Sequence, residues 1–268
     1  MLKKQIKQWL MCMLMLALPL TGACETKVLG MTARDYFGDT LEAKVAIAAG
    51  RGDAEEVKRL VARGANVNAV GKENLSPLGW AMAQKNLGGM RALLEAGADP
   101  NQPIGPKKNL YPVWIAAGLD NSDQLKLLLD FKGEPNVIIQ SAQYSALSRA
   151  VTKFDNVRLL VEAGADVNTT DPLGGPFALD AAALAQIDIV LYLLDKGFNQ
   201  NLFLLAWEMN DRRPGGPAPF PEVLEPKRLQ VLAKLKEMCV APPSGTAPPN
   251  NPPRYWLGLR SNQSNNGT

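Results

Sequence analysis

Five stretches of this chain repeat one arrangement of apolar and polar positions: VKRLVARG from Val57, MRALLEAG from Met90, LKLLLDFKG from Leu125, VRLLVEAG from Val157 and VLYLLDKG from Val190. Apolar residues at i, i+3 and i+4 place a single stripe on a helix, and the glycine after the last turn suits a left-handed cap. Upstream of each stands a shorter, alanine-rich helix: VAIAAG, LGWAMA, VWIAAG, LSRAVT and LDAAALA. Small residues there let backbones approach closely. A two-helix hairpin of this size cannot bury its own apolar face, so the units have to stack on one another.

The spacing is regular. GANVN, GADPN, GEPN, GADVN and GFNQN close the five units, and their terminal asparagines, Asn68, Asn101, Asn136, Asn168 and Asn201, are 33, 35, 32 and 33 residues apart. Fixed self-similarity of this length marks a repeat architecture. The unit resembles the ankyrin repeat, with Ser76-Pro77-Leu78-Gly79-Trp80-Ala81 and Tyr111-Pro112-Val113-Trp114-Ile115-Ala116 as the best copies of its opening signature. The resemblance covers residues 41–201 and implies an all-α solenoid of helix-turn-helix repeats with β-hairpin fingers. Three departures stand out. The signature histidine is replaced by Gly79, Trp114, Ser148 and Asp180; the fourth unit is two residues short around Phe154 and Asp155; and the third lacks one residue at its glycine close.

A sixth, degenerate unit follows over residues 202–240. Its first helix is LFLLAWEM, its loop DRRPGGPAPF, and its second helix runs from Glu222 to Met238. An end unit has to close the stack with a polar outer face, a role expected of Lys227, Arg228, Lys234 and Lys236. Residues 241–268 are rich in proline and asparagine, a composition of extended backbone. Within them Tyr255-Trp256-Leu257 is either an anchor on the cap or a patch for a partner. Asn168, Asn262 and Asn266 head N-x-S/T sequons, which carry no meaning beside a bacterial-type signal.

Composition narrows the chemistry. The 268 residues are 46% hydrophobic and 21% charged, ordinary for a globular chain, but contain no histidine. That excludes serine-histidine and cysteine-histidine catalysis and the histidine-containing zinc motifs. Three cysteines, Cys12, Cys24 and Cys239, are too few for a four-thiolate site. Phosphate-loop, dinucleotide, EF-hand and HExxH patterns are absent, and pairs such as Glu55 and Glu56 fall on the polar face of a helix. Neither an enzyme nor a cofactor is expected. The net charge of +3 resides in Lys3, Lys4 and Lys7, which leaves a neutral body poorly suited to nucleic acid.

Residues 1–23 have the anatomy of a signal peptide, with a basic start, the apolar run WLMCMLMLALPL and small residues before Cys24. The sequence L-T-G-A-Cys24 resembles a bacterial lipobox with its leucine one position too early, so Cys24 is either lipidated or left as a thiol after ordinary cleavage at Ala23. Glu25 favours the outer membrane if a lipid is attached. Residues 24–40 are expected to be a tether, and membrane contact to run only through that lipid. The expected location is the periplasm.

Ankyrin proteins are recognition scaffolds, so the resemblance implies a protein partner on the concave face and fingertips. Aligning the units places Ile47, Trp80, Ile115, Arg149 and Ala181 at the first-helix position facing that groove. Fingertips carry Lys72, Glu73 and Asn74, then Lys107, Lys108 and Asn109, then Gln140 and Gln143, then Asp171 and Leu173. Trp80 with Ile115 and Arg149 has the character of a binding hot spot, or else Trp80 fills the stack between units two and three. Trp114 is expected in the core. The whole resembles the ankyrin-type immunity proteins paired with type VI secretion lipase effectors. It implies a periplasmic inhibitor of a toxic, envelope-directed lipase or phospholipase; the alternative is an accessory protein that stabilises or assembles a resident enzyme such as a catalase.

Overall fold

A computed structural model describes residues 27–28, 30–105, 110–139, 144–170, 175–210 and 221–240. These are mostly helical, with thirteen α-helices and two small two-stranded ribbons. A hairpin of β1 (Lys27–Val28) and β2 (Met31–Thr32) leads into α1 (Ala33–Phe37). Helix pairs follow: α2 (Leu41–Arg51) with α3 (Ala54–Ala62), α4 (Pro77–Ala83) with α5 (Leu87–Glu95), and α6 (Pro112–Ala117) with α7 (Asp123–Asp130). Next come α8 (Ala146–Arg149) with α9 (Phe154–Glu162), α10 (Phe177–Ala183) with α11 (Ile187–Asp195), and α12 (Leu202–Glu208) with α13 (Glu225–Glu237). Among the described residues no helix is long and apolar enough to cross a membrane.

Local chemistry sets these boundaries. Thr40, Asp53, Ser76, Asn86 and Ser145 each accept a backbone N–H of the first turn, and Pro77 and Pro112 occupy first-turn positions that need no donor. Second helices end on a left-handed residue: Gly64, Gly97, Gly164 and Gly197, with φ between 91° and 99°. In the third unit that residue is Lys132, φ 67°, and Gly133 follows it. The N–H of Gly133 bonds Leu128 O at 2.8 Å, just as Ala98 bonds Leu93 O at 2.9 Å. No residue is missing at this close, contrary to the sequence reading. The glycine has moved one place on, where a Cβ would lie 2.6 Å from Val113 Cγ2. Cys239, φ 60°, is the corresponding residue of the last pair.

Packing runs from pair to pair. The second helices touch in unbroken succession, α3 on α5, α7, α9, α11 and α13, while α2 packs on α4, and α6 on α8, α10 and α12. Leu60, Leu93, Leu125, Leu128, Leu160 and Leu193 are buried along this line. The closing asparagines stitch the pairs together. Asn68 Nδ2 donates to Gly97 O at 3.0 Å and its Oδ1 accepts from Asp99 N at 2.7 Å; Asn101 does the same with Lys132 and Glu134, and Asn136 with Gly164 and Asp166. Asn168 accepts from Asn199 N. At the N-terminal end there is no preceding asparagine, and the carboxylate of Glu42 takes its place by accepting from Asn66 N at 3.1 Å. One contact is unusually close: a Cβ on Gly89 would fall 1.7 Å from Ala49 O.

The two missing residues of the fourth unit shorten its first helix, α8, to four residues. Asn156 bridges the gap by donating to Ala117 O and Leu119 O at 2.9 and 2.8 Å, and Lys153 pairs with Asp120. Fingers between pairs are ribbons: β3 (Ile138–Ile139) pairs antiparallel with β4 (Tyr144–Ser145), while Ile104 with Leu110 and Thr170 with Pro176 form single bridges. The last pair has no such finger, because Asn201, which closes the fifth unit, directly precedes α12. Of the cap cations expected on the polar outer face, Arg228 departs from that role. Lys227 and Lys234 reach back to Asp188 and Asp195 of α11, and Arg228 is buried against Met209 O and Glu225. Of the four, Lys236 is the exposed one.

Candidate protein-binding face

The first helices of the pairs present one equivalent position each, and the structure fixes which residue holds it. The bond from Asn86 N to Ala81 O and the left-handed Lys85 in the second unit match the bond from Gln186 N to Ala181 O and the left-handed Ala185 in the fifth. Ala181 therefore corresponds to buried Ala81, and Asp180, half-buried, corresponds to Trp80. The run of alanines had shifted the alignment by one. The row is Ile47, Trp80, Ile115, Arg149 and Asp180.

Trp80 is not on the surface; it is 0% exposed. Helix α1 lies across it and sets Tyr36 edge-on to the indole, with ring centroids 6.0 Å apart and planes at 67°. Ala33, Tyr36, Ala46 and Trp80 form a small separate core, with Val28, Met31, Phe37, Ile47 and Leu75 packed around it. Tyr36 Oη donates to Val28 O at 3.0 Å, and burial pushes its phenol pKa up. Thr32 and Asp35 cap α1 reciprocally; the Thr32 N–H bonded to Asp35 is the main reason that carboxyl sits below its usual range. So residues from Lys27 onward are a folded cover over units one and two instead of a bare tether.

The first finger belongs to the same assembly. Lys72–Asn74 form a 3₁₀ turn with Glu73 and Asn74 in the left-handed region, φ 55° and 51°. Lys72 and Glu73 are exposed, whereas Asn74 is half-buried and donates to Gly105 O of the next finger at 3.2 Å. This makes Asn74 a link between fingers. Lys107, Lys108, Gln143, Asp171 and Cys24 lie outside the described residues, as do the signal peptide and the Tyr255-Trp256-Leu257 motif.

Further along the row the surface opens. Arg149 is exposed, and its guanidinium sits 4.9 Å from the Trp114 ring centroid. This is cation–π distance. Trp114 is half-buried: it packs on the main core and also offers its ring to Arg149. Gly118 makes the stack possible, because a Cβ there would fall 2.4 Å from Arg149 Nε. Arg149 has no ion-pair partner among the described residues, Ile115 beside it is half-buried, and Tyr144 at the base of the third finger is 49% exposed. Sequence reasoning named Trp114 and Arg149 separately; only the intervening glycine brings them together. Among the described residues no cluster of three or more carboxylates and thiols is placed to hold a metal ion.

No family model matches the chain. Over 164 residues, 56% of its length, it is 27% identical to the E3 ubiquitin-protein ligase KEG of Arabidopsis thaliana. The match spans 10% of that protein, so the chain covers only a small part of this relative. The likeness and the helix-pair architecture together fit a repeat protein of the protein-interaction kind.

Proposed function

We propose that the helix pairs form an ankyrin-type solenoid and that the chain is a protein-binding scaffold with no chemistry of its own. On this reading it is exported to the periplasm by residues 1–23, with a lipid at Cys24, and acts there as an immunity protein that occludes a toxic envelope-directed lipase or phospholipase. The observation that carries the binding role is the Trp114–Arg149 stack, a rigid aromatic with an exposed guanidinium that has no ion-pair partner among the described residues. Such groups dominate protein interfaces, and a preformed surface needs little ordering to bind. The signal-like N-terminus supports the location.

Co-expression of the full chain with periplasmic lipase toxins tests it. Cells should survive only when the chain keeps its leader, and the purified pair should form a stable complex with lipase activity suppressed. Survival without the leader, or no protection against any member of a broad lipase panel, overturns the immunity reading. Capture of a resident enzyme with its activity intact would do so too, in favour of the accessory role.

A further inference from the structure

The same seat is built twice on the first-helix row. In each, a glycine at the end of one first helix makes room for the row side chain of the next unit. A Cβ on Gly50 would lie 2.8 Å from Trp80 Nε1, and one on Gly118 would lie 2.4 Å from Arg149 Nε. Each row side chain rests against the residue four positions before that glycine, Ala46 or Trp114. The residue just before the helix N-cap is Leu75 in the first, where it packs on the small core, and Tyr144 holds the equivalent position in the second. The seats differ in occupancy. The first is filled by the Tyr36 ring of α1, with Phe37 packed around the same small core. At the second, Tyr144 and Arg149 are exposed.

We propose that the second seat takes from the partner an aromatic ring, as α1 gives the first, on a short segment that also carries a carboxylate for Arg149. This rests on the protein-binding reading and names the partner's chemistry. One face of the Arg149 guanidinium lies on Trp114; its other face is a platform for an aromatic ring and its N–H edge a fork for a carboxylate. A purely apolar segment leaves the guanidinium desolvated and unpaired, and a basic one is repelled by it.

The probes are three synthetic octapeptides that place Asp-Tyr-Phe, Asn-Tyr-Phe or Asp-Ala-Ala between glycine and serine residues. Each is titrated into the full-length protein and followed by NMR at the tryptophan indole and arginine side-chain N–H signals. The Asp-Tyr-Phe peptide should bind at least about ten-fold tighter than either of the others and shift the Trp114 and Arg149 signals. Arg149→Gln should erase the preference for Asp over Asn, and Arg149→Lys should restore part of it. Equal binding of the three peptides, no binding, or an acid preference that survives Arg149→Gln overturns the proposal. Undiminished capture of a protein partner by Arg149→Gln would refute this seat while leaving the scaffold reading standing.

Discussion

The first and second seats of the helix row are one construction with opposite fates. Both combine a glycine with a row side chain reaching across it; yet Trp80 is 0% exposed while Arg149 stands in solvent. What separates them is a five-residue helix that the repeat pattern does not contain. Helix α1 lies on the first seat and turns a surface position into core. A residue at the same register of the same repeat is therefore core or surface according to what is laid across it.

The comparison breaks most visibly at Trp80. Trp80→Ala empties a fully buried site and should cost about 3–5 kcal/mol, with α1 undocked. Urea unfolding would read the loss, and hydrogen exchange should show protection disappearing first from α1 and α2. Intact stability with weakened partner binding would return Trp80 to the surface role. Gly89→Ala comes next. Its methyl would meet the Ala49 carbonyl carbon and oxygen, which are backbone and cannot step aside, so about 3 kcal/mol is expected with the α2–α5 contact pried open.

The two glycines sharpen the comparison further. Gly50→Ala pushes on a rigid indole held under Tyr36, and should cost about 1–2 kcal/mol in urea unfolding. Gly118→Ala pushes on the flexible end of an exposed arginine, which can swing away. Its stability should change by less than about 0.5 kcal/mol, while affinity for the partner falls because Arg149 leaves the Trp114 ring. Equal destabilisation by both substitutions would mean that the two seats are equally packed.

Much of this was legible in the amino-acid order. The helix pairs, their apolar stripes and the asparagine closes follow from a pattern written five times, because a stacked unit has to present the same face each time. What escaped was written once. Residues 33–37 are too short for a helical period to show, so the cover over Trp80 left no sequence signal beyond the Thr32–Asp35 capping pair. Lys132 took the left-handed position usually given to glycine, which misled the count at the third close. The alanine run before Leu184 let the alignment slip by one and hid Asp180. The Trp114–Arg149 stack depends on Gly118, whose meaning is the absence of a side chain and appears only in space.

The smallest effect concerns how the covered end of the stack is sealed. Between pairs, neutral asparagines carry the cross-links, but at the first pair Glu42 accepts the N–H of Asn66. That bond is the main reason its carboxyl lies below the ordinary 4.5, so its contribution is present in full above that value and is lost as pH falls through the lowered one. Glu42→Gln keeps an acceptor but no charge. The native chain should therefore be more stable than Glu42→Gln at pH 6, by less than about 1 kcal/mol because the group is partly solvated, and the gap should close in acid once Glu42 is protonated. Urea midpoints along a descending pH series test this, with exchange of the Asn66 amide as the local reporter. A gap that does not close in acid would mean that Glu42 acts through packing, and that the two ends of the asparagine ladder differ in shape instead of in charge.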